Sequence, residues 1–164
     1  MQHGLIMGIV NVTPDSFSDG GRFFTSASAL AQVETLINDG ADIIDLGAES
    51  SRPNAVEVSL EEEWHRLEPI LKALENRSLR VSVDTYKPEI MRRLLDYPVE
   101  IINDIRGGGQ VEDAILAKWA KAGRIYLAMH MHRNPQSMQR VPLTRAESEV
   151  AVGGFYQTTQ TRLK

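Results

Sequence analysis

Five short apolar runs in this chain each end on a polar side chain able to hydrogen-bond or ligate. These ends are Asn11, the stretch "GAESSRPN" (47–54), Asp84, Asn103-Asp104, and His130 with His132. The loop after the first run, "NVTPDSFSDGG", carries Asn11, Thr13, Asp15, Ser16, Ser18 and Asp19. These are hard oxygen donors of the kind Mg²⁺ accepts while it keeps waters and bridges to phosphate oxygens. Gly20 and Gly21 let that loop bend. Arg52 sits between Ser50-Ser51 and Pro53, and a guanidinium fork beside hydroxyls and backbone N–H groups makes a phosphate clamp. Asp84 and Asn103 differ in kind. A carboxylate accepts two N–H bonds from a guanidine-like heterocycle edge, whereas a side-chain amide offers a donor and an acceptor. Each position also has a plain reading, because strand ends meet water and Asn and Asp favour turns. Polar groups at all five ends make a shared pocket the better account.

Other polar clusters are weaker. "HMH" (130–132) raises a zinc site, but only His3 and His65 remain as further imidazoles. Gly107-Gly108-Gly109 lacks the spacing and the lysine of a phosphate-binding loop, so it reads as a strand-to-helix turn. Trp64 and Trp119 fall at helical spacing with apolar neighbours and read as core.

The elements that must position these groups alternate. Strands are expected near 5–12, 41–47, 79–85, 99–105 and 125–131. Between them, 29–39 places Leu30, Val33 and Ile37 on one helical face and stops at Gly40. The segment 59–74 opens with a capping box, Ser59 with Glu62, and repeats Leu60, Trp64, Leu67, Leu71 and Leu74. Pro88 suits the first turn of a short helix, and a helix over about 111–122 ends at Gly123. A last helix over 144–164 has its own capping box, Thr144 with Glu147, although Gly153 and Gly154 each cost it about 1 kcal/mol. Strand–helix alternation implies an α/β fold with a parallel sheet and ligands beyond the carboxyl ends of the strands. The strand spacing is near the ~30 residues per unit of a (β/α)₈ barrel. A doubly wound sheet gives similar spacing and stays open at this point.

The bulk properties narrow the partners. The chain of 164 residues reads as one domain, 1–164, with 42% hydrophobic and 24% charged residues. A formal charge of −4 disfavours nucleic acid. No apolar run reaches the roughly 18 residues of a membrane span, and the start has no secretory pattern. Without cysteine there are no disulfides or thiolate sites, which fits the cytoplasm.

Together, "MGIVNVTPDSFSDGG", "GADIIDLGAESSRPNA", "VSVDTYKP", "IINDIRGG" and "MHMHRNPQSMQ" resemble dihydropteroate synthase, of the pterin-binding family, in that order from about residue 6 to 140. The resemblance implies a (β/α)₈ TIM barrel. It also implies condensation of 6-hydroxymethyl-7,8-dihydropterin pyrophosphate with p-aminobenzoate, to give dihydropteroate and pyrophosphate for folate biosynthesis. Sulfonamides, which mimic p-aminobenzoate, would be ligands. Asn11, Arg52 and Asp84 would be the catalytic set, with Asn11 on Mg²⁺ or a pyrophosphate oxygen and Arg52 on the pyrophosphate. Asp84 and Asn103 would bind the pterin ring. Ser51, Pro53 and Phe17 would lie near p-aminobenzoate, and Thr13 and Met129 would complete the substrate contacts.

Three departures stand out. Ala48 and Ser51 replace a usual glycine and threonine, Tyr86 replaces a usual small residue, and five strand–helix units stand where a barrel needs about 250 residues. The family's later pterin aspartate, strand-seven lysine and final arginine–histidine pair have no counterpart here. The expectations are therefore a partial barrel that self-associates edge to edge or by domain swapping, and a fragment that binds ligand with little or no turnover. Other readings are a pterin-binding methyltetrahydrofolate methyltransferase domain, which needs no pyrophosphate loop, and a metal-dependent hydrolase built on His130 and His132.

Overall fold

The computed structural model of the protein describes residues 4–13, 26–50, 57–130 and 143–162. Five strands alternate with helices in chain order: β1 Met7–Asn11, α1 Ser26–Asn38, β2 Ile43–Gly47, α2 Leu60–Leu74, β3 Arg80–Asp84, α3 Pro88–Arg93, β4 Ile101–Asp104, α4 Asp113–Lys121, β5 Ile125–Ala128 and α5 Arg145–Arg162. Every strand pairs parallel with its predecessor, and the sheet order is β1-β2-β3-β4-β5. A doubly wound sheet reverses its strand order at a switch point, and this sheet does not. The two architectures that spacing left open are thereby separated: the sheet is five consecutive units of a barrel wall.

Strand periodicity gives the wall two faces. Val10, Leu46, Val83 and Ile102 lie in register and pack with Val33, Leu67, Leu71, Ile90, Ile115 and Trp119 of the helices in one core. The other face carries Ile9, Asp45, Ser82, Ile101 and Ile125 in one row, and Asn11, Gly47, Asp84, Asn103 and Leu127 in the next. At the two edges this inner face is open: Ile9 is 57% exposed and Leu127 42%.

Local signals set the helix ends. Gly40, at φ 96°, closes α1: its N–H donates to Ile37 O while that of Ala41 donates to Leu36 O. Gly123 closes α4 in the same way, with Arg124 N–H on Trp119 O. Both are left-handed terminations that glycine adopts without a Cβ clash. Ser59 caps α2 by accepting Glu62 N–H, and Pro88 starts α3. At α5, Thr144 Oγ1 and the Glu147 carboxylate accept each other's backbone N–H, completing the second capping box.

Two expectations need correction. The fifth strand ends at Ala128 rather than 131, because Met129 N–H makes the last bond to Asp104 O and β4 offers nothing beyond it. Trp119 is core at 1% exposure, but Trp64 is only half-buried, edge-on to Tyr97 with the Arg93 guanidinium over its ring. Helix α2 is rotated so that Glu63, not Trp64, faces inward; Glu63 Oε1 accepts from Thr85 Oγ1 at 2.6 Å. The expected last helix does form: α5 runs through Gly153 and Gly154, which face open space, and buries no residue. It is held by Arg162, which bonds Gly108 O, Val111 O and the Asp113 carboxylate.

Candidate functional site

The carboxyl ends of the strands bring three of the expected residues into one line. Asn11 on β1, Gly47 on β2, Asp84 on β3 and Asn103 on β4 are successive register partners, so their side chains share the inner face. The missing side chain of Gly47 shapes the space between them. A Cβ there would stand 3.7 Å from Asp84 Cβ and 3.8 Å from both Asn11 Oδ1 and Asp84 Oδ2. The chain leaves β1 along the end of β2, with Val12 N–H donating to Gly47 O at 2.6 Å. Thr13 follows, partly buried.

Asp84 is an unusual carboxylate. Its pKa is pushed up to about 7, first by burial and then by the negative charges of Asp45, Glu63, Asp104 and Glu49. Asn103 donates from Nδ2 to Asp45 Oδ2 at 3.1 Å. Met129, just past β5, is 42% exposed.

The expected pair Asn103-Asp104 divides. Asp104 turns to the opposite side, where it accepts Arg106 N–H at 2.7 Å, Gly108 N–H at 2.6 Å and the Tyr126 hydroxyl. The triglycine turn, with Gly107 and Gly108 at positive φ, is thus wrapped around a carboxylate and is no anion cradle. His130 packs edge-on against Phe155 of α5 at 5.4 Å. Among the described residues, no group of three or more His, Cys, Asp or Glu side chains could hold a metal ion.

Sequence reasoning missed the groups behind Asp84. Lys87 Nζ donates to both Glu49 and Glu63, and all three side chains are largely buried. The Tyr86 hydroxyl bonds Glu49 at 2.8 Å and Glu57 at 2.9 Å, while the Arg106 guanidinium lies 3.5 Å over its ring. Burial and then these two carboxylates raise the Tyr86 pKa. Of these groups, Glu49, Glu63 and Tyr86 line, with Asp84, Thr85, Ser50 and Ile105, a cavity of about 20 Å³, room for one water. Tyr86 thus borders a cavity that Asp84 also lines. A charged residue inside an apolar strand, Asp45, and an acidic one on the inward phase of α2, Glu63, were the signals available. Phe17, Ser51, Arg52, Pro53 and His132 lie outside the described residues, as do Asp15, Ser16, Ser18 and Asp19.

Asn11 offers one amide oxygen at an exposed strand end. One protein oxygen fits Mg²⁺, which keeps several waters and shares phosphate oxygens with its substrate.

Comparison with known proteins points the same way. Residues 7–164 match the family described as pterin binding enzyme. Over 143 residues the chain is 46% identical to dihydropteroate synthase of Escherichia coli K12, an alignment covering 87% of this chain and 50% of that protein. It superposes with a TM-score of 0.83 on Yersinia pestis dihydropteroate synthase in complex with a sulfonamide drug, at 38% identity, covering 97% of this chain and 57% of that one. The Burkholderia cenocepacia enzyme complexed with 7,8-dihydropteroate gives 0.74 at 32% identity, covering 98% and 55%. The chain spans about half the length of the curated relatives it matches.

Proposed function

We propose that this chain, which belongs to the pterin-binding enzyme family, carries much of the substrate-binding wall of a dihydropteroate synthase. The parent enzyme, a transferase of folate biosynthesis, joins 6-hydroxymethyl-7,8-dihydropterin pyrophosphate to p-aminobenzoate. The observation that carries this reading is the row Asn11–Gly47–Asp84–Asn103 at the carboxyl ends of four adjacent strands. It supplies hydrogen-bonding groups for a heterocycle at one end and an oxygen donor for a metal–anion pair at the other.

The reaction breaks the C–O bond to pyrophosphate and forms a C–N bond from the arylamine, whose proton is lost to solvent. Here Asp84 and Asn103 hold the ring, and Arg52, beside Ser51 and Pro53, grips the leaving group and borders the arylamine. Thr13, Phe17 and Met129 complete the contacts. Such a site accelerates chiefly by holding the reactants in line and by stabilising charge on the departing group. Asn11 would hold Mg²⁺, which when bound neutralises charge on the pyrophosphate. The partners are these small molecules and sulfonamide analogues of the arylamine. No helix among the described residues is long and apolar enough to cross a membrane, and the absence of cysteine supports a cytoplasmic setting.

The test is calorimetric titration with pyrophosphate, with and without Mg²⁺, on the chain and on Arg52→Ala. The reading expects Mg²⁺-dependent binding that the substitution abolishes. Binding that ignores both Mg²⁺ and Arg52, or no binding at all, overturns the anion half of the site.

A further inference from the structure

Asp45 is a charged residue where strand β2 is otherwise apolar or glycine. It is 3% exposed, lies one inner-face step below Gly47, and makes no ion pair among the described residues. Its Oδ2 accepts from Asn103 Nδ2, while its Oδ1 has no partner. Ser82, its register partner on β3, is fully buried, and its Oγ is also unpartnered. Two orphaned polar atoms side by side in a buried sheet row are costly. Such groups persist where a ligand or a bound water satisfies them.

We propose that Asp45 is the positioning residue of the heterocycle pocket: it fixes the Asn103 amide so that the site presents acceptors to its ligand. With Nδ2 tied to Asp45, the amide carbonyl is the group that Asn103 has left to present to a ligand, on the strand next to that of its register partner Asp84. A flipped amide would set its oxygen against the Asp45 carboxylate, so the flip is disfavoured electrostatically. Two acceptors on neighbouring strands recognise adjacent N–H groups, as on the amino-substituted edge of a pterin. They discriminate against an analogue that presents a carbonyl there, because the mismatch leaves buried acceptors facing each other. The orphaned Asp45 Oδ1 and Ser82 Oγ form the floor below, where one water or a further ring N–H completes the set. The anionic groups whose charge reaches Asp84 are Asp45 from β2, Glu49 beyond it, Glu63 from α2 and, from the far side of β4, Asp104. Removing the charge of Asp45 also moves the pH at which Asp84 ionises.

This inference rests on the pterin-site reading, and the experiment separates the two. Pterin and lumazine, its 2-oxo analogue, are titrated into the wild-type chain and Asp45→Asn across pH 5.5–8.5. Far-UV circular dichroism and a cooperative melt report on the fold. The expected result is that wild type favours pterin at least tenfold and that Asp45→Asn loses most of that preference. The variant's binding midpoint also moves to lower pH. A folded Asp45→Asn with unchanged preference and unchanged pH midpoint overturns the proposal. So does wild type that binds Mg²⁺-pyrophosphate but shows no preference for pterin. Wild type that binds neither pterin nor pyrophosphate overturns the underlying reading as well. Should Asp45→Asn fail to fold, amide NMR of wild type decides. One Asn103 Nδ2 hydrogen exchanging slowly supports the role, and both exchanging freely with water overturns it.

Discussion

Asn11 Oδ1 and Asp84 Oδ2 face each other across Gly47, each 3.8 Å from the point a Cβ would occupy there. Contacts of that length are ordinary van der Waals distances, and an alanine would relieve the conformational entropy cost of glycine in a strand interior. Gly47→Ala is therefore expected to leave the melting temperature unchanged or slightly raised. The added methyl fills the gap between the two functional ends, so affinity for pterin and for Mg²⁺-pyrophosphate falls at least tenfold. Differential scanning calorimetry and titration on the same preparation check both halves. Undiminished binding would show that Gly47 is only a packing residue.

The raised pKa of Asp84 has a sign that can be measured. Between its unfolded value of 3.8 and about 7 the folded protein holds a proton that the unfolded chain has released. The stability this contributes is fully present below pH 3.8 and is lost as pH rises through 7. At ~1.4 kcal/mol per unit, Asp84→Asn should gain on the order of 4 kcal/mol over wild type at pH 8 and almost nothing at pH 4. Urea melts across that range test it. For a ligand whose N–H groups need the ionised carboxylate, affinity should rise through pH 7 in wild type and stay flat in Asp84→Asn.

Lys87 stands between Glu49 and Glu63, with Glu63 only 2% exposed at its side chain. Removing one member of a buried charge cluster leaves the others uncompensated, at a cost of about 3–5 kcal/mol. Lys87→Met is expected to fall in that range by chemical denaturation at pH 7. Combining it with Glu63→Gln should recover a large part of the loss, since the second change removes the stranded charge. Equal stability of the single and double variants would mean that Lys87 acts through packing alone.

The parts of this molecule written in short stretches were legible in advance. Gly40, Gly123, Ser59 and Pro88 mark helix ends through backbone geometry confined to a few residues, and all four sit where that geometry requires. Sheet order was not legible, because barrel and doubly wound folds space their strands alike and differ only in which strand lies beside which. Asn103 and Asp104 were read as one feature, although the two-residue period of a strand sends neighbours to opposite faces. Asp45 went unremarked because it looks like an interruption of an apolar run; its meaning comes from Asn103, 58 residues away. Trp64 and Glu63 exchanged roles for a similar reason, since Thr85 and Lys87, which turn Glu63 inward, lie on another element.

The inner face predicts how the 164-residue chain behaves alone. Ile9, Ile125, Leu127 and Met129 are each at least 40% exposed, and β1 and β5 each pair on one side only among the described residues. Open strand edges beside exposed apolar side chains favour pairing with another chain. The dihydropteroate synthases it resembles are about twice as long, and the remainder of such a barrel would cover this face. Expressed by itself, the chain should therefore self-associate edge to edge or by domain swapping, with light scattering giving a mass above that of one copy that grows with concentration. Ile9→Lys with Leu127→Lys should shift it toward monomer. In the same preparation, dihydropteroate formation should be far below that of a complete barrel, because on the proposed reading Asp84 and Asn103 would supply only one side of the pterin site. A clean monomer at high concentration, or turnover matching a full-length relative, would refute the corresponding half of this prediction.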